Sequence, residues 1–348
     1  MTHRLRPVDA LFIDRLLNRG KSPSEIHAIS KDALDAAVPL RCIEARVVER
    51  EQQQEIAKRL PDGIEQRTAA WYSARDQVVT ASDFHAAAFG TDSAKRNFVA
   101  KKCGECAPFS GSAATRHGTK YEEVARMLYE RYMSCNVREY GLLLHPSVDI
   151  MGASPDGYAD FGVLIEIKNP YSKTLMDVPP EYYAQMMGQL EVCGLSACDF
   201  VVCRVRELEA EEFWERFESA FDEGYGYERF GSVATTAGPD LKFTFSTPGM
   251  APEELRRWVS ANEEDRDISV HEVFDFRVTR IHRDDEYIAR MIEGLHETWD
   301  RVLEGRRNPR PAPERYGKQA NDFAIPRLRG FAFKQPLGGK SFPPLTPL

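Results

Sequence analysis

Two acidic residues and a lysine in the segment SPDGYADFGVLIEIK (residues 154–168) have the types and spacing of a metal-dependent catalytic site. In an extended strand, side chains alternate between faces, so Glu166 and Lys168 share one face with Leu164. A hairpin would bring Asp156, on the preceding turn, back towards Glu166. Two converging carboxylates suit a hard cation such as Mg²⁺, with Mn²⁺ as an alternative. The lysine would then position the nucleophile and help to deprotonate it.

The same Glu-x-Lys pattern is also typical of an edge strand that faces water. A carboxylate and an ammonium are costly to bury without partners, which favours the exposed pair when the pattern stands alone. Asp156 changes this balance because it lies on a tight turn upstream and can supply a second carboxylate to the same place. We therefore predict a metal site and keep the exposed pair as the alternative.

A third acid, Glu122, lies on a predicted helix over residues 118–133. The apolar residues of this helix recur at helical spacing, and Glu122 lies at the edge of their stripe, in line with Ala125 and Tyr129. The neighbouring Glu123 points towards solvent, so Glu122 is the acid that could face a site. The helix dipole alone also favours an acid near the N-terminus, and the local pattern leaves both roles open.

Two further polar patterns are candidates for binding residues. Gln185 is one helical turn from Gln189 and shares a face with Tyr182, where an amide could orient a water molecule or a phosphate. Upstream, Arg75 is followed by Ser82, and the forked donors of an arginine suit a terminal phosphate. Each pattern has an alternative that fits it equally well. Gln185 and Gln189 could belong to a polar helix face, and Arg75 and Ser82 could have no common role.

Helix and strand patterns divide the chain into four predicted parts. The turn signal Pro61-Asp62-Gly63 ends the first part, and alternating helices and strands mark the second as an α/β core. The four parts are a helical N-terminal extension (1–62), an α/β core that carries the candidate site (63–225), a mixed α/β C-terminal extension packed on the core (226–307) and an extended basic tail (308–348). The core is predicted to contain strands at 138–146, 149–160, 162–168 and 197–207, with a helix at 181–195 between the last two.

The bulk composition predicts a folded, soluble, intracellular protein. Hydrophobic residues make up 42% of the chain, no apolar run approaches the roughly 20 residues of a membrane helix, and the N-terminal segment lacks the apolar region of a secretory signal. Seven cysteines, an odd number, indicate free thiols rather than a disulfide framework. Cys103 and Cys106 form a CxxC without a second ligand pair at zinc spacing, so metal binding there stays open.

The charge distribution neither requires nor excludes a nucleic-acid partner. The formal net charge is -8, but binding depends on the local field and not on the total. Residues 301–348 contain ten lysines and arginines against three acids. This tail is a candidate phosphate-facing segment, and a solvated basic tail is the alternative.

Five motifs in a fixed order resemble the lambda-exonuclease/YqaJ-type viral recombinase nucleases, a branch of the PD-(D/E)xK superfamily. They span about residues 66–206 and read W-x3-R-x2-V-x-T-A-S, G-x2-Y-E, S-P-D-G, E-x-K and Y-x2-Q. The Glu-x-Lys motif alone is weak, whereas five blocks in this order are specific. The resemblance implies a restriction-endonuclease-like α/β core with a central mixed β-sheet flanked by helices.

The resemblance also assigns roles to the candidate catalytic residues. By position, the metal ligands of the family fall on Asp156 and Glu166, with Glu122 as the helix-borne acid beside the metal. The catalytic lysine falls on Lys168, and Gln185 takes the place of an active-site amide.

Other positions carry over to DNA binding. The family's pocket for the 5′-phosphate of a DNA end falls on Arg75 and Ser82, and Tyr182 lies where close relatives have an active-site tyrosine. The sequence departs from the pattern at one position. The lambda enzyme has an additional acid upstream of S-P-D-G, and the corresponding position in this chain falls near Pro146.

The implied activity is that of a magnesium-dependent DNA exonuclease. The family digests one strand of a linear duplex from 5′ to 3′ in viral or phage recombination, together with a single-strand annealing protein, and the lambda-type enzyme is a ring trimer. For a viral chain, the host cytoplasm or nucleus would be the site of action. DNA ends, an annealing protein and further copies of the chain are therefore the expected partners.

Two other classes of function remain as alternatives. An endonuclease specific for structure or sequence, on DNA or RNA, could use the same core, because phosphodiester chemistry need not involve the 2′-hydroxyl. A non-catalytic DNA-binding module could retain the fold. The intact set of Asp156, Glu166 and Lys168 weighs against the second alternative.

Overall fold

The computed structural model describes residues 5–106, 112–172, 174–237 and 241–308, and the predicted basic tail lies outside these ranges from residue 309 onwards. Within them the chain forms helices and strands that alternate along much of its length. The helices are α1 (Pro7–Asn18), α2 (Pro23–Ala33), α3 (Leu40–Lys58), α4 (Ala69–Asp76), α5 (Phe84–Ala88), α6 (Asp92–Lys102), α7 (Ala113–Met133), α8 (Pro180–Cys193), α9 (Ala210–Asp222), α10 (Pro252–Asn262) and α11 (Asp285–Arg307).

The strands form two sheets. Seven strands pair in the order β2-β5-β6-β7-β10-β8-β9, and three pair in the order β1-β4-β3. Their bounds are β1 (Val79–Thr80), β2 (Val137–Arg138), β3 (Leu143–Leu144), β4 (Met151–Ala153), β5 (Gly157–Ala159), β6 (Val163–Lys168), β7 (Ala197–Glu207), β8 (Phe230–Thr236), β9 (Phe243–Phe245) and β10 (Arg266–His282).

The large sheet is mixed and is covered by helices on both faces. Strands β6 and β7 run parallel, whereas β5 pairs with β6, and β10 with β7, in antiparallel fashion. Leu164 belongs to the core formed with α5, α8 and α11, while Ile165 and Ile167 belong to the core formed with α7. The predicted fold class, a central mixed sheet flanked by helices, is confirmed.

The segment predicted as one strand over residues 149–160 is divided between the two sheets. Strand β4 belongs to the small sheet, β5 belongs to the large one, and Ser154, Pro155 and Asp156 connect them. Proline has no backbone N–H to donate to a ladder, which favours a break at Pro155. The break places Asp156 at the start of the β5–β6 hairpin, where the carboxylate can turn towards β6.

Both predicted extensions are continuous with the core. Strand β10, from the C-terminal part, pairs with β7 from His271 opposite Glu207 to His282 opposite Ala197. Strands from both sides of the predicted boundary at 225/226 therefore belong to the same sheet. Helices α1–α3 have their own small apolar cluster, and Asp14 of α1 bonds to Arg280 of β10 at 2.8 Å. Among the described residues, no helix is long and apolar enough to cross a membrane.

Candidate active site

Glu166 is the centre of the candidate site and is fully buried on β6. Three side chains donate to its carboxylate. Gln185 Nε2 bonds to Oε1 at 2.7 Å, Gln189 Nε2 bonds to Oε2 at 2.6 Å, and the ammonium of Lys168 also reaches Oε1. The edge-strand alternative is therefore wrong, because β6 is an interior strand of the sheet and its carboxylate is buried with partners.

Asp156 meets the same strand from the preceding turn. Gly157 lies opposite Ile165 in the β5–β6 hairpin, and the backbone N–H of Ile167 donates to Asp156 Oδ2 at 2.7 Å. This bond fixes the Asp156 carboxylate against the end of β6 that carries Glu166 and Lys168. The hairpin expected from the sequence thus brings the predicted carboxylates together.

Glu122 of α7 lies near enough to interact electrostatically with the charges of Glu166 and Lys168. Burial raises the pKa of Glu122, and the guanidinium of Arg67 and the ammonium of Lys168 partly offset that rise. Burial also raises the pKa of Asp156 far above its usual range, and the negative charge of Glu166 adds to the effect. Burial would lower the pKa of Lys168, but the carboxylates of Glu166 and Asp156 outweigh burial and raise it. The site thus concentrates negative charge that a cation would stabilise.

The donor set fits a magnesium ion. Among the residues that the structure describes, no three His, Cys, Asp or Glu side chains form a ready-made metal-ligand group. Mg²⁺ needs no such group, because it commonly binds one or two carboxylates and takes its other oxygens from water and substrate phosphates. Asp156 and Glu166 can supply those carboxylates. Gln189 Oε1 is buried beside them without a hydrogen-bond partner and could accept a bond from such a water.

Helix α8 carries the two glutamines to β6. Gly188 of the same helix allows close packing of α8 against α5, because a Cβ at that position would lie 1.9 Å from the Phe84 ring. One turn separates Gln185 from Gln189, so both amides point at the same carboxylate. The sequence motif singled out Gln185 alone, and the helical spacing is the signal that also identifies Gln189.

Tyr182 of α8 lies beside strands β6 and β7. The Lys168 ammonium is 4.8 Å from the centre of the Tyr182 ring, which permits a cation–π contact. The ring also packs against Phe200 of β7 at a centroid distance of 5.7 Å. Tyr182 thus contacts the lysine in a position where it can restrict the lysine side chain.

The predicted phosphate-pocket residues lie on α4 and the turn that follows β1. The Arg75 guanidinium stacks over the Trp71 ring at 4.2 Å, and Trp71 Nε1 donates to Ser154 Oγ at 3.4 Å. Ser154 is two residues before Asp156, so this bond connects the Arg75 helix to the acidic turn. Ser82 is exposed and its Oγ lies 3.5 Å from Thr80 Oγ1.

Two cations from distant helices cap the C-terminal end of α4. Lys102 Nζ donates to the carbonyl oxygen of Arg75 at 2.5 Å, and Arg306 Nη2 donates to that of Asp76 at 2.5 Å. Such bonds satisfy the carbonyl groups that a helix end leaves without intrahelical partners. The position of Arg75 therefore depends on α6 and on the C-terminal helix α11, which local sequence patterns did not indicate.

Asn169 joins the catalytic strand to the helix of Glu122. Its Nδ2 donates to the carbonyl oxygen of Gly118 at 3.3 Å. In the alternative orientation of the amide, its oxygen would accept a bond from the backbone N–H of Glu122 at 3.2 Å. Either orientation holds α7 against the end of β6 and so sets the distance between the third acid and the other two.

Residues 70–196 match the family model of the YqaJ-like viral recombinase domain. The match covers about a third of the chain. The matched segment contains the candidate site residues Arg75, Ser82, Glu122, Asp156, Glu166, Lys168, Tyr182, Gln185 and Gln189. The motif-based resemblance is thereby confirmed for the segment in which the motifs lie.

A viral protein is similar to about half of this chain. The uncharacterized protein R354 of Acanthamoeba polyphaga mimivirus is 31% identical over 195 residues, which is 50% of this chain and 35% of that protein. The aligned region thus spans about a third of the length of that relative.

Two solved structures are also similar to the chain. The alkaline exonuclease LHK-Exo from Laribacter hongkongensis aligns with 69% of this chain and 95% of its own, at 22% identity and a TM-score of 0.44. A phage-related exonuclease from Haemophilus somnus 129PT aligns with 65% of this chain and 95% of its own, at 14% identity and a TM-score of 0.38.

Proposed function

We propose that the chain is a magnesium-dependent DNA nuclease that hydrolyses phosphodiester bonds at the ends of linear duplexes. The observation that carries this proposal is the convergence of Asp156, Glu166 and Lys168 at the β5–β6 hairpin, with Glu122 facing them from α7. The matched YqaJ-like domain supports the same class of activity.

The proposed metal ligands are Asp156 and Glu166, with Glu122 beside them. A bound Mg²⁺, or Mn²⁺ in its place, would supply a water of lowered pKa and offset the negative charge of the phosphate. Glu166 is held by the amides of Gln185 and Gln189, so its carboxylate cannot rotate freely. A fixed carboxylate lowers the cost of organising the site when substrate binds.

Lys168 is proposed to act on the nucleophile and on the phosphate. Its ammonium already contacts Glu166 and faces the ring of Tyr182, so few rotamers are open to it. From this position it can orient an attacking water and donate a hydrogen bond to a phosphate oxygen. The neighbouring carboxylates raise the pKa of Lys168 and keep its amine protonated in the absence of a metal. A bound cation would offset their negative charge and reduce this rise in pKa.

The proposed direction of digestion is 5′ to 3′, with Arg75 and Ser82 binding the 5′-phosphate of the end. The stacked guanidinium of Arg75 leaves its edge to donate to a phosphate. The hydrogen bond from Trp71 to Ser154 connects this pocket to the turn of Asp156. Action in viral or phage-type recombination, an annealing partner and a trimer are further proposals that rest on the family resemblance.

Replacing Arg75 with alanine should remove the preference for a 5′-phosphate. A hydrogen bond to a charged group contributes about 1.5–3 kcal/mol, so the rate on 5′-phosphorylated ends should fall by roughly 10- to 100-fold. The rate on 5′-hydroxyl ends should change little. The measurement is a digestion time course on both substrates, with the exposed Arg59→Ala as the matched control. An unchanged preference in Arg75→Ala would show that the pocket is assigned to the wrong residue.

An endonuclease on the same core is the second candidate. Ser82 is exposed, so the α4 side of the site could admit a continuous strand as well as an end. Covalently closed circular DNA distinguishes the two activities, because an exonuclease cannot begin on it. Duplex binding without cleavage in any divalent metal would instead indicate a non-catalytic module.

A further inference from the structure

An exposed aromatic side chain, Tyr171, lies next to the proposed active site. It follows Lys168 by three residues, so the two Cα atoms are at most about 11 Å apart. Its side chain is 54% exposed, and Met176 of the same connection between β6 and α8 is 75% exposed. Large apolar side chains are thus presented to solvent beside the strand that carries Glu166 and Lys168.

The Tyr171 ring rests on a column of rings from the helix that carries Glu122. It meets the His117 ring edge-on at a centroid distance of 5.2 Å. His117 in turn packs on Tyr121 at 4.8 Å, and Tyr121 is fully buried. The column gives Tyr171 a rigid support on one side, while its other side stays open to solvent.

Basic side chains lie near this ring, two of them paired with acids. The first turn of α7 contains no acidic residue, and Arg116 is exposed there. Lys120 lies one turn further along and bonds to Glu207 at 2.6 Å. The backbone of Leu175 is held by Arg277 Nη2 at 2.5 Å, which anchors the connection on the opposite side. An exposed aromatic ring with an exposed arginine nearby suits a nucleobase whose phosphates pass close to it.

We propose that Tyr171 stacks on a nucleobase next to the scissile phosphate and thereby positions the terminal nucleotides of the bound DNA strand. This inference rests on the proposed nuclease function and names a substrate contact within it. The phosphate-binding residues contact the backbone, whereas Tyr171 contacts a base face. Because every base has such a face, the contact requires no particular sequence.

The test uses the full chain and linear duplexes that contain 2-aminopurine, a base whose fluorescence falls when it stacks on an aromatic ring. The probe replaces the terminal or the next nucleotide of either strand in separate substrates. Binding is measured in Ca²⁺, and Tyr171→Leu is compared with Tyr171→Phe and with Tyr225→Ala. Tyr225 is also exposed, at 46%, and lies outside the site, so it controls for the loss of a surface ring.

The expected result is quenching of at least one probe by the unmodified chain, by Tyr171→Phe and by Tyr225→Ala. Tyr171→Leu should lose that quenching and bind the duplex on the order of tenfold more weakly. Equal quenching and affinity in Tyr171→Leu, or no quenching of any probe by the unmodified chain, would overturn the proposal. Thermal unfolding of each variant separates these effects from loss of structure.

The nuclease proposal is tested separately from the stacking contact. Cleavage in Mg²⁺ by the unmodified chain, lost in Lys168→Ala, supports the nuclease whatever the fluorescence shows. If cleavage obeys this pattern but Tyr171→Leu quenches normally, only the stacking proposal fails. If Lys168→Ala cleaves normally, the proposed catalytic centre itself is wrong.

Discussion

Replacing Asp156 with asparagine is expected to lower magnesium-dependent cleavage by on the order of 10³-fold, equivalent to about 4 kcal/mol in the activation barrier. Asparagine keeps the size of the side chain and can still accept the bond from the Ile167 N–H. It removes the negative charge that would hold the cation in the site and stabilise the positive charge of that cation during the reaction. The measurement is the initial rate of digestion of linear duplex over a range of Mg²⁺ concentrations.

Asp160→Asn is the matched control for this effect. Asp160 lies four residues further along, is exposed, and accepts bonds from the backbone N–H and the side-chain amide of Asn136. Its loss should leave the cleavage rate within about twofold, since surface substitutions usually change little. If Asp156→Asn kept the activity of Asp160→Asn, Asp156 would not be a metal ligand.

Replacing Arg280 with methionine should produce the largest loss of stability. Its guanidinium is fully buried and donates to Asp14 at 2.8 Å and to Asp199 at 2.5 Å. Removing one member of a buried ionic network leaves uncompensated charge and costs roughly 3–5 kcal/mol. The free energy of unfolding, measured with denaturant, should fall by this amount.

Lys58→Met is the control for a surface ion pair. Lys58 bonds to Glu55 at 2.6 Å, but both side chains are more than half exposed. Exposed pairs contribute at most about 1 kcal/mol. The free energy of unfolding of this variant should therefore be close to that of the unmodified chain. Similar stability of Arg280→Met and Lys58→Met would show that the network does not hold the N-terminal helices to the sheet.

The parts of the fold that depend on local periodicity could be predicted from the sequence. The strand predicted at 197–207 is β7, and the helix predicted at 181–195 is α8, which ends where Gly194 adopts a left-handed conformation with φ of 66°. The hairpin of Asp156 and Glu166 also follows from turn chemistry and strand alternation, because both act over a few residues.

The remaining features depend on contacts between residues that are far apart in the chain. The capping of α4 by Lys102 and Arg306 joins three helices, and no pattern within one helix indicates it. The antiparallel pairing of β10 with β7 likewise could not be read from the strands alone, because many registers satisfy the same alternation of apolar residues. Asn169 lies after the Glu-x-Lys motif, but its partners on α7 appear only when the two elements meet.

The most direct test of the central claim is a digestion time course with the full chain in Mg²⁺ and in EDTA. The substrates are linear duplex with 5′-phosphate ends, the same duplex with 5′-hydroxyl ends, and covalently closed circular DNA, with Lys168→Ala as the control. The account predicts digestion of linear DNA in Mg²⁺ alone, faster from 5′-phosphate ends, with closed circles intact and Lys168→Ala inactive. Full activity of Lys168→Ala, or digestion that persists in EDTA, would contradict it.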